Sequence, residues 1–311
     1  MAFTAKDVQQ LREMTGVGMM DCKKALEASG GDMDKAVAFL REKGLAAAQK
    51  KAGRIAAEGI VAAVSMGNVA AVVEVNAETD FVAQNESFVS FANDVAKLVA
   101  SENPADLEVL LGLGYPGSDM TVKEMQQEKI LVIGENIQIR RFARYETGVT
   151  VPYVHMGGRI GVLVNMETAA EIASSDKVVE LGKDLAMQIA AMRPTYLDSS
   201  QVDQAVAEAE RQIQLAKAIE ENKAKNLPDD KAQAIAENMV KGRMNKFFEE
   251  VCLLNQPFVK GDKITVEQHV KNLSKELGGE IAIKAFTRFE RGEGIEKQES
   301  NFADEIAKMV Q

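Results

Sequence analysis

The sequence predicts an α+β protein with a helical N-terminal unit, a duplicated β-β-α-β core and a helical insertion. Three observations carry this. Residues 1–44 show helix starts and stops at short intervals. Two strand-like runs end alike, Val75-Asn76-Ala77-Glu78-Thr79 and Val164-Asn165-Met166-Glu167-Thr168. Two later runs also match, Phe142-Ala143-Arg144-Tyr145-Glu146-Thr147-Gly148 and Phe286-Thr287-Arg288-Phe289-Glu290-Arg291-Gly292, in five of seven positions if Tyr and Phe count as equal. Matched anchors in the same order are the mark of a duplication.

Thr4-Ala5-Lys6-Asp7 reads as a capping box opening the first helix, which stops near Thr15-Gly16. Met19 to Ala28 is the second helix, with Cys22, Ala25 and Leu26 inward. Gly30-Gly31 breaks it, and Asp32 caps a third helix carrying Ala36, Val37, Phe39 and Leu40 and closing at Gly44. This three-helix unit is the size of a ubiquitin-associated-like module. Ala46 to Ala57 reads as a linker helix or tether, and its basic patch, Gln49 to Arg54, as a solvated one.

In the first core copy, Ile60–Met66 and Val69–Val75 are strands joined by Gly67-Asn68, a two-residue hairpin signal. Phe88, Phe91, Val95 and Leu98 recur at helical spacing. Residues 101–120, with Pro104, Gly112, Gly114, Pro116 and Gly117, are looser. Met120 to Ile133 is an amphipathic helix, and Ile137 to Tyr145 alternates as a strand. The second copy has strands at Val149–His155 and Arg159–Met166 around the turn Met156-Gly157-Gly158, then a helix at Lys177–Met192. Its last strand, Ala282–Glu290, comes only after the insertion. Within the insertion, Val202, Val206, Ala209, Ile213 and Ala216 follow a coiled-coil seam. Asn226-Leu227-Pro228 breaks it, and Asp229 starts a return helix with Ile235, Met239 and Phe247, giving a projecting helical hairpin. The expected divisions are 1–56 (helical domain and linker), 57–148 (first subdomain), 149–194 with 280–311 (second subdomain and a C-terminal helix) and 195–279 (insertion).

Composition narrows the function. The chain of 311 residues carries 37 basic and 47 acidic side chains, a formal charge of −10. That argues against a general nucleic-acid binder, whose affinity rests on phosphate neutralisation. No run of about 18 apolar residues suggests a membrane span, and the N-terminus lacks the apolar core of a signal peptide. Two isolated cysteines, Cys22 and Cys252, fit a reducing compartment, so a cytoplasmic protein is expected. There is no GxxxxGK[ST] loop and no GxGxxG after a strand. His155 and His269 are too few and scattered for a His-rich metal site. No metal or cofactor is expected.

The copies differ just past their shared anchor: the first continues Asp80-Phe81-Val82, the second Ala169-Ala170-Glu171. A fold common to both does not require Asp-Phe, so this pair is a candidate contact. Alternatively, Asp80 caps the next helix and Phe81 packs inward. His155 is either structural or an exposed contact at its hairpin turn. Met19 and Met20 cannot both face so small a core.

Taken together, several runs resemble the bacterial-type translation elongation factor Ts family. They are Thr15-Gly16-Val17-Gly18-Met19-Met20-Asp21-Cys22-Lys23-Lys24-Ala25-Leu26, Glu74-Val75-Asn76 with Thr79-Asp80-Phe81-Val82-Ala83, Ile133-Gly134-Glu135-Asn136-Ile137, Arg159–Val164, Gln256-Pro257-Phe258-Val259 and Gly292–Lys297. They span essentially the whole chain. The resemblance implies a guanine-nucleotide exchange factor for the GTPase elongation factor Tu, acting without covalent chemistry. It would bind the GDP form, disturb the Mg²⁺ and phosphate site, release GDP and admit GTP. It implies that Thr79, Asp80, Phe81 and Val82 dislodge the Mg²⁺, that His155 is a second intruding contact, and that Arg12, Met19 and Met20 touch the GTPase. The arm is left either to dimerise the chain or to reach the partner. Two other readings remain: a non-exchanging interaction protein built on the three-helix unit, and an enzyme using the carboxylates of Glu78 and Asp80.

Overall fold

The computed structural model describes residues 3–223, 229–260 and 264–296. The Asn226-Leu227-Pro228 break and the expected C-terminal helix lie outside the described residues. Two compact units form: one holds residues up to 144 with 154–161 and the described residues from 289, the other 145–153 with 162–288.

The first unit begins with α1 (Ala5–Thr15), α2 (Met19–Ala28) and α3 (Met33–Lys51). Thr4 and Asp7 form the reciprocal capping box, which holds the Asp7 carboxyl below its ordinary pKa. Gly16 ends α1 in the left-handed conformation, and Asp32 caps α3. Val8, Leu11, Cys22, Ala25, Leu26, Ala36 and Leu40 form one small core.

α3 does not close at Gly44. It runs on to Lys51, so the expected separate linker helix is the end of α3. Glycine stops a helix when its missing side chain is needed for a left-handed turn. Here the missing side chain serves packing. A Cβ on Gly44 would stand 3.4 Å from the carbonyl oxygen of Gln127, on a neighbouring helix.

β1 (Glu58–Met66) and β2 (Val69–Ala77) pair antiparallel from Glu58↔Ala77 to Met66↔Val69, which leaves Gly67-Asn68 as the turn. α4 (Asp80–Ala83), α5 (Glu86–Glu102), α6 (Leu107–Gly112), α7 (Val122–Ile133) and β3 (Gln138–Tyr145) follow. α6 adds a short helix within the stretch expected to be irregular, capped by Asp106. The sheet order is β1-β2-β3. Phe88, Phe91, Val95, Leu98 and Val99 of α5 bury against Ile60, Val73 and Val75. Periodicity of 3.6 on one element and of 2 on the other creates this core.

Glu74 of β2 is fully buried. Its carboxylate accepts from Arg140 (3.0 Å), Arg141 (2.5 Å), the Asn76 side chain (3.1 Å) and the Gly292 backbone N–H (2.7 Å). Arg141 also donates to the Glu293 carboxylate and lies over the Phe289 ring. One buried acid thus ties β3 to the Glu290–Gly294 segment.

β4 (Val149–His155), β5 (Ile160–Thr168) and β6 (Ile281–Glu290) form a second sheet in the order β4-β5-β6. Its last strand arrives only after the inserted segment. α8 (Asp176–Met192) packs closely at Gly182, where any Cβ would collide with Val151 and Met166. The two matched asparagines have matched duties. Asn76 donates to the carbonyl of Glu58, before Gly59 with its positive φ; Asn165 donates to the carbonyl of Thr147, before Gly148 with its positive φ. The shared run is therefore a structural device.

The insertion holds α9 (Gln204–Lys223), α10 (Asp229–Val251) and α11 (Val266–Leu277). α9 and α10 pack together, but not along the expected seam. Val202 precedes the helix, while Val206, Ala209, Ile213 and Ala216 are exposed, as is Ile235 of α10. The interface is Leu215, Ala218 and Ile219 against Ala236, Met239, Val240 and Met244. Ala218 and Ala236 are small enough for close helix approach, so the stripe around them meets the partner helix.

Candidate functional site: an exposed Asp80–Phe81 turn

The turn after β2 is a rigid platform with one apolar side chain standing out. Glu135 lies beyond the C-terminus of α7, which ends at Gly134 in the left-handed conformation. Its carboxylate accepts from the backbone N–H groups of Glu78 and Thr79, both at 3.0 Å, and from the Thr79 hydroxyl at 2.6 Å. Glu78 reciprocates by accepting from the Asn136 N–H at 2.6 Å. The Asn136 amide donates to the Arg54 carbonyl at 2.8 Å, and the Arg54 guanidinium stands 3.5 Å from Glu78. Part of the basic patch read as a solvated tether is thus engaged here. Lys51, at the end of α3, feels the charges of Glu78 and Glu135; burial and the nearby Arg54 hold its pKa below the ordinary value.

Thr79 caps the four-residue helix α4, its hydroxyl accepting from the Val82 N–H. Val82 and Ala83 face inward. Asn85 caps α5, so Asp80 does not, and Phe81 does not pack inward. Phe81 is 83 % exposed, against 65 % for the next most exposed large hydrophobics among the described residues. Asp80 beside it is exposed, with no side-chain hydrogen bond or ion pair among the described residues. The inward alternative for this pair is therefore contradicted by geometry.

The corresponding turn in the second set of strands carries no large apolar side chain outward: Ala169 is half-buried, and Ala170 and Glu171 are exposed. Ala169 donates its N–H to the Glu280 carbonyl at 2.9 Å, and Ile172 is buried. A Cβ added to Gly279 would stand 3.1 Å from the Ala169 Cβ and 3.0 Å from Ile172. There the turn is held by packing and a backbone hydrogen bond and presents only small or polar side chains; in the first it is stapled by charge and presents Phe81.

The other expected residues lie on separate segments. Arg12 on α1, and Met19 and Met20 on α2, are all exposed, and Met14 joins them as an exposed apolar side chain not singled out from sequence. His155 is half-buried at the end of β4, next to exposed Val154 and Met156. Its turn is seated by Gly158, at φ +95, where a Cβ would approach Ile60 to 2.9 Å. Cys22 and Cys252 are buried free thiols, and desolvation raises both pKa values, Cys252 to about 11. Neither is suited to nucleophilic work. No cluster of metal-ligating side chains occurs among the described residues, and none of their helices is long and apolar enough to cross a membrane.

Glu135 is the residue that sequence reasoning left without a role. Changing Glu135→Ala removes the one carboxylate oxygen that the N–H groups of residues 78 and 79 share, along with the acceptor of the Thr79 hydroxyl. The expected cost is about 1–3 kcal/mol. Hydrogen exchange should show those two amides losing protection, and unchanged protection would show that another group holds the turn.

A family model described as Elongation factor TS matches residues 78–293. Curated relatives run the full length. Elongation factor Ts of Syntrophotalea carbinolica is 47% identical over 312 residues, covering 100% of both chains. That of Clostridium perfringens is 51% identical over 311 residues, covering 99% of each, and that of Magnetococcus marinus 46% over 313 residues, covering 100% of each. These matches, on an α+β fold, place the chain among the translation elongation factors of protein biosynthesis. It belongs to the elongation factor Ts family, bacterial type.

Proposed function

We propose that this chain is the guanine-nucleotide exchange factor of elongation factor Tu, binding its GDP form and loosening Mg²⁺ and phosphate so that GDP leaves and GTP enters. One observation carries the reading: Phe81 stands 83 % exposed on a turn fixed by the Glu135 and Glu78 carboxylates. A large apolar ring gains by entering a partner pocket, and a fixed turn delivers it without first ordering a loop.

In this account Phe81 pries and Asp80 disturbs the groups that order the metal, while Thr79 and Val82 hold the turn. A bound Mg²⁺ demands near-ideal octahedral geometry, so a small displacement of its ligands weakens it. Order in the loops of a GTPase depends on the same phosphate and metal contacts. Arg12, Met19 and Met20 supply a second contact with the GTPase, since exposed methionines adapt to an apolar partner surface. His155 supplies a third from its hairpin turn. The chain makes and breaks no covalent bond, needs no cofactor and acts in the cytoplasm without binding nucleic acid or membrane.

The four sequence divisions, 1–56, 57–148, 149–194 with 280–311, and 195–279, would serve as contact domain, two copies of one core and a coiled-coil arm. The first would be ubiquitin-associated-like. The arm's exposed Val206 and Ile213 suit a contact, either with the GTPase or with a second copy of the chain. Linkage fixes the thermodynamics: whatever factor this chain takes from GDP affinity, GDP takes from the affinity of this chain. The test is release of a fluorescent GDP from purified elongation factor Tu. Catalytic amounts of the chain should accelerate it, and an unchanged release rate would refute the reading.

A further inference from the structure

Away from the 78–83 turn, α1, α3 and α7 enclose a cavity of about 340 Å³. Met14, Val17, Val37, Leu40, Leu45 and Leu131 are among its apolar lining. That volume is at the lower end of small-molecule sites, which combine an apolar lining with a few polar groups. The charged lining residues are Arg41, Glu42, Glu124 and Glu128, a net charge of −2 from one cation and three anions. They are not equivalent. Glu124 is engaged in the capping box of α7 with Thr121. Glu42 is exposed. Glu128 is half-buried and has no hydrogen bond or ion pair among the described residues.

We infer that this cavity is a binding site for a small amphipathic cation, with its apolar body against Leu40, Leu45 and Leu131 and its ammonium on the Glu128 carboxylate. Gly44 lines the site, and its bare backbone lets α3 run close to Gln127 and Glu128 of α7, which brings the two walls together. The charges that bear on Glu128 are Arg41 and Lys129, but burial outweighs them and pushes its pKa up. A carboxylate left partly desolvated and unpaired gains most from an added cation.

The probe is 2-phenylethylamine, compared with its neutral analogue 2-phenylethanol and with 3-phenylpropionate, titrated into the full chain by heteronuclear NMR. Saturable shifts are expected in the amides of α3 and α7. The amine should bind about tenfold tighter than the alcohol, the gain of one charge-assisted hydrogen bond. Glu128→Gln should abolish that preference. Arg41→Gln, which removes the competing cation, should tighten the amine, an effect that misfolding cannot imitate. Equal binding of amine and alcohol, shifts lying elsewhere, or an Arg41→Gln variant that binds the amine more weakly would each overturn the assignment.

Discussion

Phe81→Ala is expected to slow the release of GDP from elongation factor Tu catalysed by this chain by about 30-fold or more, the scale of a single aromatic hot spot worth at least 2 kcal/mol. Its own stability should move by no more than about 0.5 kcal/mol. The contrast follows from exposure. At 83 % exposed, the ring contributes almost nothing to the core, which Val82 and Ala83 reach from the same short helix. In the proposed complex it is the one large apolar group the turn can insert. A denaturation curve and a fluorescent-GDP release assay on one preparation separate the two effects. Wild-type release by Phe81→Ala would remove the wedge. A large loss of stability would mean that Phe81 packs within this chain.

Glu74→Gln should have the largest effect on folding, about 3–5 kcal/mol, the range for breaking one side of a buried ion pair. The carboxylate serves four donors, two of them guanidinium groups. Glutamine keeps the shape but turns an N–H₂ toward a guanidinium, removes the charge paired with Arg140 and leaves Arg141 only the exposed Glu293. The loss should be concentrated where the hub acts. The Gly292 amide, bonded to Glu74 at 2.7 Å, should exchange with solvent much faster in the variant. Urea denaturation together with hydrogen exchange reads both. A change under 1 kcal/mol would mean that Arg140 and Arg141, which also bond the 290–293 segment, sustain it without the acid.

What could be read from the sequence follows the range of each signal. Helix starts were legible wherever a cap is local: Thr4 with Asp7, and Asp32 with Lys35, lie within one turn of each other. The hairpin at Gly67-Asn68 and the strands around it were legible from alternation and a two-residue turn. Gly44 was misread because a glycine carries two opposite meanings, a left-handed stop or a bare backbone for a neighbour, and only the position of α7 decides between them. The seam of α9 failed for a related reason. Two apolar stripes run along that helix, and periodicity alone does not say which one meets α10; the small Ala218 and Ala236 decided it.

At the site, the asymmetry between Asp80-Phe81 and Ala169-Ala170 pointed to an exposed turn, and exposure is what the structure has there. Glu135 stayed silent because its partner Thr79 lies 56 residues away and no local pattern announces a carboxylate accepting backbone N–H groups across the fold. The same holds for Glu74: an acid inside a Val- and Ala-rich strand signals burial only once Arg140 and Arg141 are placed beside it.

The central claim is that Phe81 acts on the Mg²⁺ and phosphate site of the GTPase. Its most direct test is GDP release from elongation factor Tu by the wild-type chain and by Phe81→Ala, first with Mg²⁺ present and then with it chelated. If the ring works by dislodging the metal, the variant should lag far behind wild type with Mg²⁺ and close most of that gap once the metal is gone. A gap of equal size under both conditions would contradict the account.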